Sequence, residues 1–210
     1  MNNDISPVSK EGWSYIGYSI AFFILFVLLH LDILSFIAVA FIAFFVYIYR
    51  NPERELSSFE ENMVYSPVDG NIVYIENLIN SEYAYRVEID SKCLNVGLLR
   101  SPMDAKIINS TITQGTKLPL SSDLAQKINE NILITFENRA LDKVMVQHLS
   151  KVSFENLKVN LEKNQLINVA SRYGFMVNGI TSIYLPKNFN LEVQSGNKVI
   201  GSQTLLGSFK

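Results

Sequence analysis

Tyr65-Ser66-Pro67-Val68-Asp69-Gly70-Asn71-Ile72-Val73-Tyr74-Ile75-Glu76 is the stretch whose reading decides the fold. Its first half is a turn, because Pro67 presets its own backbone angle and Asp69-Gly70 accepts the tight geometry that follows. Its second half is rich in β-branched and aromatic residues, the composition of a strand. Working outward, short runs of the same kind recur at Ala84–Ile89, Leu94–Leu99, Ile132–Phe136, Val144–Gln147, Leu157–Leu161, Ile183–Leu185 and Leu191–Val193. Gly, Asn, Asp and Ser punctuate them. Only Ser121 to Ile128 has the pattern of a short helix. Strands in series without helical crossovers predict a mainly β, antiparallel sandwich or barrel-like domain. No internal repeat is visible. A second proline turn, Arg100-Ser101-Pro102-Met103-Asp104-Ala105-Lys106, again follows directly on an apolar run.

Upstream the pattern changes. From Trp13 to Tyr49 the chain is continuously apolar, and His30 and Asp32 are its only ionisable interruptions apart from tyrosine. A spanning helix needs about 20 apolar residues, so this block is too long for one and divides at Leu29-His30-Leu31-Asp32 into two arms. Placing His30 and Asp32 at an interface avoids the several kcal/mol of burying them at mid-bilayer. The block therefore predicts a membrane-anchoring helical hairpin. Trp13, Tyr15 and Tyr18 at one end and Tyr47 and Tyr49 at the other suit interfacial belts. Lys10, Arg50 and Arg54 flank the arms while the turn has no Lys or Arg, which puts the soluble part on the cytoplasmic side of the cell membrane. The arms are short enough that a re-entrant hairpin remains an alternative to a spanning one. A signal peptide fits poorly, since its apolar core runs only about 7–15 residues. The expected organisation is a tail over 1–12, the hairpin over 13–50, a linker over 51–62 and a β domain over 63–210.

Composition removes several function classes. Among 210 residues the charged fraction is 18%, and the formal charge of −2 provides no basic field for nucleic acid. Mean hydropathy is +0.16, raised by the N-terminal block. A single cysteine, Cys93, precludes an internal disulfide and any multi-cysteine metal site, and is expected as a small buried residue of a strand. His30 and His148 are too few and too distant for a zinc site. No serine–histidine–aspartate, phosphate-loop or HExxH pattern occurs. Taken alone, Asp69 and Asp104 are turn residues and Lys106 is a solvated cation.

Together with the anchor, these turns resemble one family. Arg50–Arg54 (RNPER), Tyr65–Ile72 (YSPVDGNI), Leu98–Asn109 (LLRSPMDAKIIN), Asn129–Ile132, Val144–Gln147, Arg172–Met176, Ile183–Pro186 and Gly196–Gly201 look, in that order, like the small membrane-bound phosphatidylserine decarboxylases. The resemblance implies decarboxylation of phosphatidylserine to phosphatidylethanolamine at the membrane face, with aminophospholipid as partner. It also implies a covalent pyruvoyl cofactor, made by self-cleavage of a Gly-Ser bond, that acts as electron sink. Carried over, the family's aspartate falls on Asp69 and its histidine on Lys106. The serine position falls on Gly179 when aligned from Ile183–Pro186, and on Ile180 when aligned from Arg172 and Gly174. Neither bears a hydroxyl. Thr181 and Ser182 are the nearest hydroxyls, and Ser182 is the candidate nucleophile if the chain is processed.

Three readings follow. One is a decarboxylase using Asp69, Lys106 and Ser182. The second is a non-catalytic, membrane-anchored protein that binds phospholipid or stabilises a partner, as a homo- or hetero-oligomer. The third is an envelope adaptor, suggested by the Val193, Gly196 and Val199 spacing, which resembles the hammerhead strands of lipoyl-type domains.

Overall fold

The uninterrupted apolar run folds as the hairpin its sequence predicts. In the computed structural model, α1 spans Trp13–Leu28 and α2 spans Asp32–Ile48. The model describes residues 6–55, 60–79, 81–119, 122 and 124–210; part of the linker (56–59) and Ser121, the expected start of the short helix, lie outside these. Helix α1 ends where His30 takes a left-handed backbone (φ 55°), and Leu31 N–H reaches back to the Phe26 carbonyl at 2.9 Å while His30 N–H bonds Val27 O at 3.1 Å. That double bond pattern is a Schellman close, with histidine standing where glycine is usual. Asp32 then opens α2, where a carboxylate suits the helix dipole. Leu28, Ile33 and Phe36 are exposed, so the pair hides few of its large apolar side chains in itself. Including the 3₁₀ turn at its start, Lys10–Leu28 is long and apolar enough to cross a membrane, by length and composition; α2 is two residues shorter than that 19-residue stretch at 17.

The chain forms two compact units, Met1–Glu53 and Arg54–Lys210. The second unit is mainly β. Its elements are β1 (Met63–Tyr65), β2 (Gly70–Asn77), β3 (Tyr83–Ser91), β4 (Leu98–Arg100), β5 (Ala105–Thr113), α3 (Ala125–Ile128), β6 (Asn131–Glu137) and β7 (Lys143–Ser150). They continue with β8 (Lys158–Val159), β9 (Leu166–Ile167), β10 (Arg172–Phe175), β11 (Gly179–Pro186), β12 (Phe189–Leu191), β13 (Lys198–Val199) and β14 (Leu205–Phe209). An antiparallel sheet runs β13-β2-β3-β11-β7-β6-β5-β9, and two short sheets, β1-β14-β12 and β4-β10-β8, complete the domain. Alternation sets the buried face: on β6, Ile132, Ile134 and Phe136 face inward, and on β7, Val144, Val146 and His148 do so. Strand β11 lies between β3 and β7, at the middle of the large sheet.

Three expectations need correction. Cys93 is exposed, not buried in a strand. The reason is local: the Asn95 side chain accepts from Lys92 N–H at 2.9 Å and Asn95 N–H bonds Lys92 O at 2.9 Å, so residues 92–95 turn and the strand begins only at Leu98. The strand expected at Leu191–Val193 lies earlier, at Phe189–Leu191, because Gln194 and Asn197 close a turn of the same kind. The structure also contains a repeat that the sequence conceals. Ser66 Oγ donates to Val68 O (2.7 Å) and Ser101 Oγ to Met103 O (2.8 Å), so both proline turns have the same internal bond. They also grip each other, Tyr65 N–H to Pro102 O at 2.8 Å and Arg100 N–H to Pro67 O at 2.9 Å. Each receives a matching loop: Ser202 N–H meets Ser66 O, and Ala170 N–H meets Ser101 O, with Ser202 and Ala170 both at left-handed φ (65° and 63°). The two halves share little beyond Ser-Pro-x-Asp, which is why composition and periodicity do not reveal them.

Candidate functional site

The end of the sheet where β11 begins gathers the residues of interest. Gly179 pairs with Ser91 on β3 and with Ser150 on β7. A Cβ at this position would stand 2.4 Å from Met176 Sδ and 2.6 Å from Leu149 O, so the close approach of three backbones admits only glycine. Beyond it, β11 alternates. Thr181, Ile183 and Leu185 face the core, while Ile180, Ser182 and Tyr184 face outward. Cross-strand pairing sets three outward rungs: Asp90–Ile180–Leu149, Glu88–Ser182–Gln147 and Arg86–Tyr184–Met145. Arg86, Glu88, Gln147, Ile180, Ser182 and Tyr184 line a pocket of about 170 Å³, with Arg86 ion-paired to Glu88 across its wall. Ser182 is 8% exposed, and its hydroxyl has no hydrogen-bond partner among the described residues.

Asp69 sits at the Gly179 end, tied there through Ser91, whose hydroxyl donates to the Asp69 backbone carbonyl at 2.7 Å. Its carboxylate is fully engaged. Arg54 donates to both oxygens (Nη1 to Oδ1, 2.5 Å; Nη2 to Oδ2, 2.7 Å), and Gly201 N–H adds a bond to Oδ1 at 2.8 Å. The two side chains are only 8% and 14% exposed, so this is a bidentate, nearly buried pair rather than a surface contact. The other proline turn is an internal control. There Asp104 Oδ1 accepts Val169 N–H at 2.6 Å, the same closure of the same turn without an arginine. The shared task of both aspartates is to hold the facing loop.

Lys106 lies elsewhere. On β5 it pairs with Glu137 and Leu166, and its exposed side chain lines a different pocket of about 420 Å³ with Asp104, Arg139 and Leu141. Its rung continues through Glu137 to Lys143, whereas the Gly179 rung meets β7 at Ser150. The offset along β7, from residue 143 to 150, is on the order of 20 Å. Ser182 is likewise displaced from Gly179, by three residues or about 10 Å along β11. The structure thus places Asp69 at the same end of the sheet as the Gly179–Ile180 bond, with β3 between them, and sets Lys106 at the other end and Ser182 further along β11. A pyruvoyl group does not fit the residues at that bond: Gly179 and Ile180 have no hydroxyl from which one is made.

One cluster is a polar group that sequence reading passed over. On the inner face, directly under the Ile180–Ser182 step, His148 Nδ1 lies 2.8 Å from Thr181 Oγ1 and His148 Nε2 lies 2.6 Å from the Tyr173 hydroxyl. All three are essentially inaccessible. Burial pushes the imidazole down to about 3, so it is neutral, and pushes the Tyr173 phenol up. With both ring nitrogens satisfied, the cluster is a core polar network of the kind that specifies packing. The strand alternation of Val144, Val146 and His148 was the available signal, since it places the histidine on the buried face.

An antiparallel β domain built on paired Ser-Pro-x-Asp turns, preceded in sequence by a helical segment apolar enough to cross a membrane, carries a polar pocket over its central strand. The family model for phosphatidylserine decarboxylase matches residues 41–207. Among curated relatives, a phosphatidylserine decarboxylase proenzyme of Geotalea uraniireducens is 26% identical over 99% of both chains. One of Desulfotalea psychrophila is 28% identical over 96% of both. The chain belongs to the phosphatidylserine decarboxylase family, a protein related to phospholipid metabolism.

Proposed function

We propose that this chain is an unprocessed member of its family, held at the cytoplasmic face of the cell membrane, that binds phospholipid without decarboxylating it. Ile180 carries the reading. It is, with Gly179, one of the two positions at the start of β11 on which the family resemblance places the self-cleaving serine, and neither residue supplies a nucleophile or an electrophile. The other two parts of the implied machinery support it. Asp69 has both oxygens committed to Arg54 and Gly201, and Lys106 is a strand-length away. Binding energy without a group that acts in the transition state gives affinity but no rate. The test is incubation of the full chain with vesicles of phosphatidylserine in phosphatidylcholine. Retention on the vesicles without formation of phosphatidylethanolamine is expected; turnover above a protein-free control overturns the proposal.

One observation favours a second reading. The uncommitted Ser182 hydroxyl opens into a polar pocket, as a nucleophile would. In that case the chain is a decarboxylase cleaved between Thr181 and Ser182, with a pyruvoyl group on the smaller fragment. Against it stand the ladder bonds that fix β11 to both neighbours at this rung and the distance to Asp69. Ser182→Ala separates the two: it abolishes fragment formation under the second reading and changes nothing under the first.

A further inference from the structure

We infer that the Gly179 end of the β domain is the surface that lies on the bilayer, with Leu94, Val152 and Phe154 entering the lipid headgroup region. The inference rests on the membrane attachment in the reading above, but not on the absence of catalysis. Loops 92–97 and 151–156 flank Asn178–Gly179 on either side, following β3 and β7. They are held in place: Lys151 N–H bonds Asn178 O at 2.9 Å, and Asn178 Nδ2 donates to Val152 O at 2.8 Å. Yet they present large apolar side chains outward, with Leu94 55%, Val152 57% and Phe154 48% exposed. Exposed apolar groups clustered on ordered loops mark a contact surface.

Charge indicates the occupant. The only carboxylate in the two loops, Glu155, is buried and paired with Lys158. Asp90 beside them is paired with Lys151 and Asp69 is neutralised by Arg54; Glu130, which accepts Leu157 N–H, is offset by Lys117 on Asn156, and Lys92 remains exposed. This end therefore offers apolar groups and net positive charge, the combination that suits an anionic lipid surface. The opposite end also exposes leucines, Leu141 and Leu166, but there Glu137 is paired with Lys143, Arg139 with Glu61, and Lys106 stands among Asp104 and Asp142, so this end has no excess of positive charge.

The single cysteine makes the test direct, because Cys93 is exposed and adjoins Leu94. The full chain, labelled at Cys93 with an environment-sensitive fluorophore, is reconstituted in vesicles of phosphatidylcholine and phosphatidylglycerol. Blue-shifted emission, quenching by acyl-chain-quencher lipids and shielding from aqueous iodide are expected. A Cys93→Ser, Leu141→Cys chain labelled at the far end is expected to emit as in water. Leu94→Asn with Val152→Asn is expected to abolish the blue shift at Cys93 while leaving the circular dichroism unchanged. Water-like emission at Cys93, or equal lipid contact at both labels, overturns the inference. Formation of fragments would sink the non-catalytic reading but leaves this result standing.

Discussion

His148 is a large, quantifiable perturbation in this domain. It sits wholly inside the sheet, its ring nitrogens bonded to Thr181 and Tyr173, and burial holds its pKa near 3 against 6.5 when solvated. Because the folded value is depressed, the unfolded chain takes up a proton between these limits and the folded chain does not. Stability contributed by the neutral ring is therefore complete above pH 6.5 and is lost as pH falls towards 3. Proton linkage puts the loss at about 2 kcal/mol between pH 8 and pH 5, growing to about 5 kcal/mol below pH 3. His148→Gln retains a hydrogen-bonding side chain that does not titrate. Urea unfolding of the full chain in detergent, followed by near-ultraviolet circular dichroism of the buried tyrosines, measures the effect. Carboxylates titrate alike in both proteins, so the difference between them isolates the imidazole. The variant is expected to be less stable at pH 8 and to lose about 2 kcal/mol less than the parent on descending to pH 5. Parallel curves would refute the buried, neutral assignment.

Arg54→Ala leaves the Asp69 carboxylate nearly buried without its partner, and is expected to destabilise the domain by about 3 kcal/mol in the same unfolding assay. Asp69→Asn, which keeps a bond from Gly201, is expected to cost less. Gly179→Ala drives a methyl into Met176 and the Leu149 carbonyl, with an expected loss on the order of 2 kcal/mol or failure to fold, read from expression and melting temperature. Ile180→Ser restores a Gly-Ser step at the start of β11; the chain is expected to stay intact on a gel, because Asp69 remains held by Arg54 and His148, on the opposite face of the sheet, is committed to Thr181 and Tyr173. Cleavage of that variant would show that the remaining machinery is competent.

Much of this architecture is legible from local chemistry. Continuous apolar runs give helices, and proline turns followed by β-branched residues give strands, since both depend on neighbours in sequence. The break at His30 followed from polarity, although the left-handed close did not. Cys93 was misplaced because a side-chain cap from Asn95, two residues on, ends the strand early. The relation between the Asp69 and Asp104 turns was hidden because only Ser-Pro-x-Asp is common to them in sequence, and the main-chain bonds that complete the match leave almost no imprint. The same holds at the site. Asp69 was identifiable from its turn, but its partner Arg54 lies fifteen residues upstream in a linker, and only folding brings the two together. His148 looked incidental as a lone histidine. Its burial appears once β7 is set beside β11 and Tyr173 closes over it.

The central claim is that a family scaffold persists here without the self-made electrophile. Mass spectrometry of the protein purified from its own membranes tests this most directly. The account predicts one species at the full 23.8 kDa. Two fragments, the smaller beginning at Thr181 or Ser182 with a blocked terminus, would contradict it.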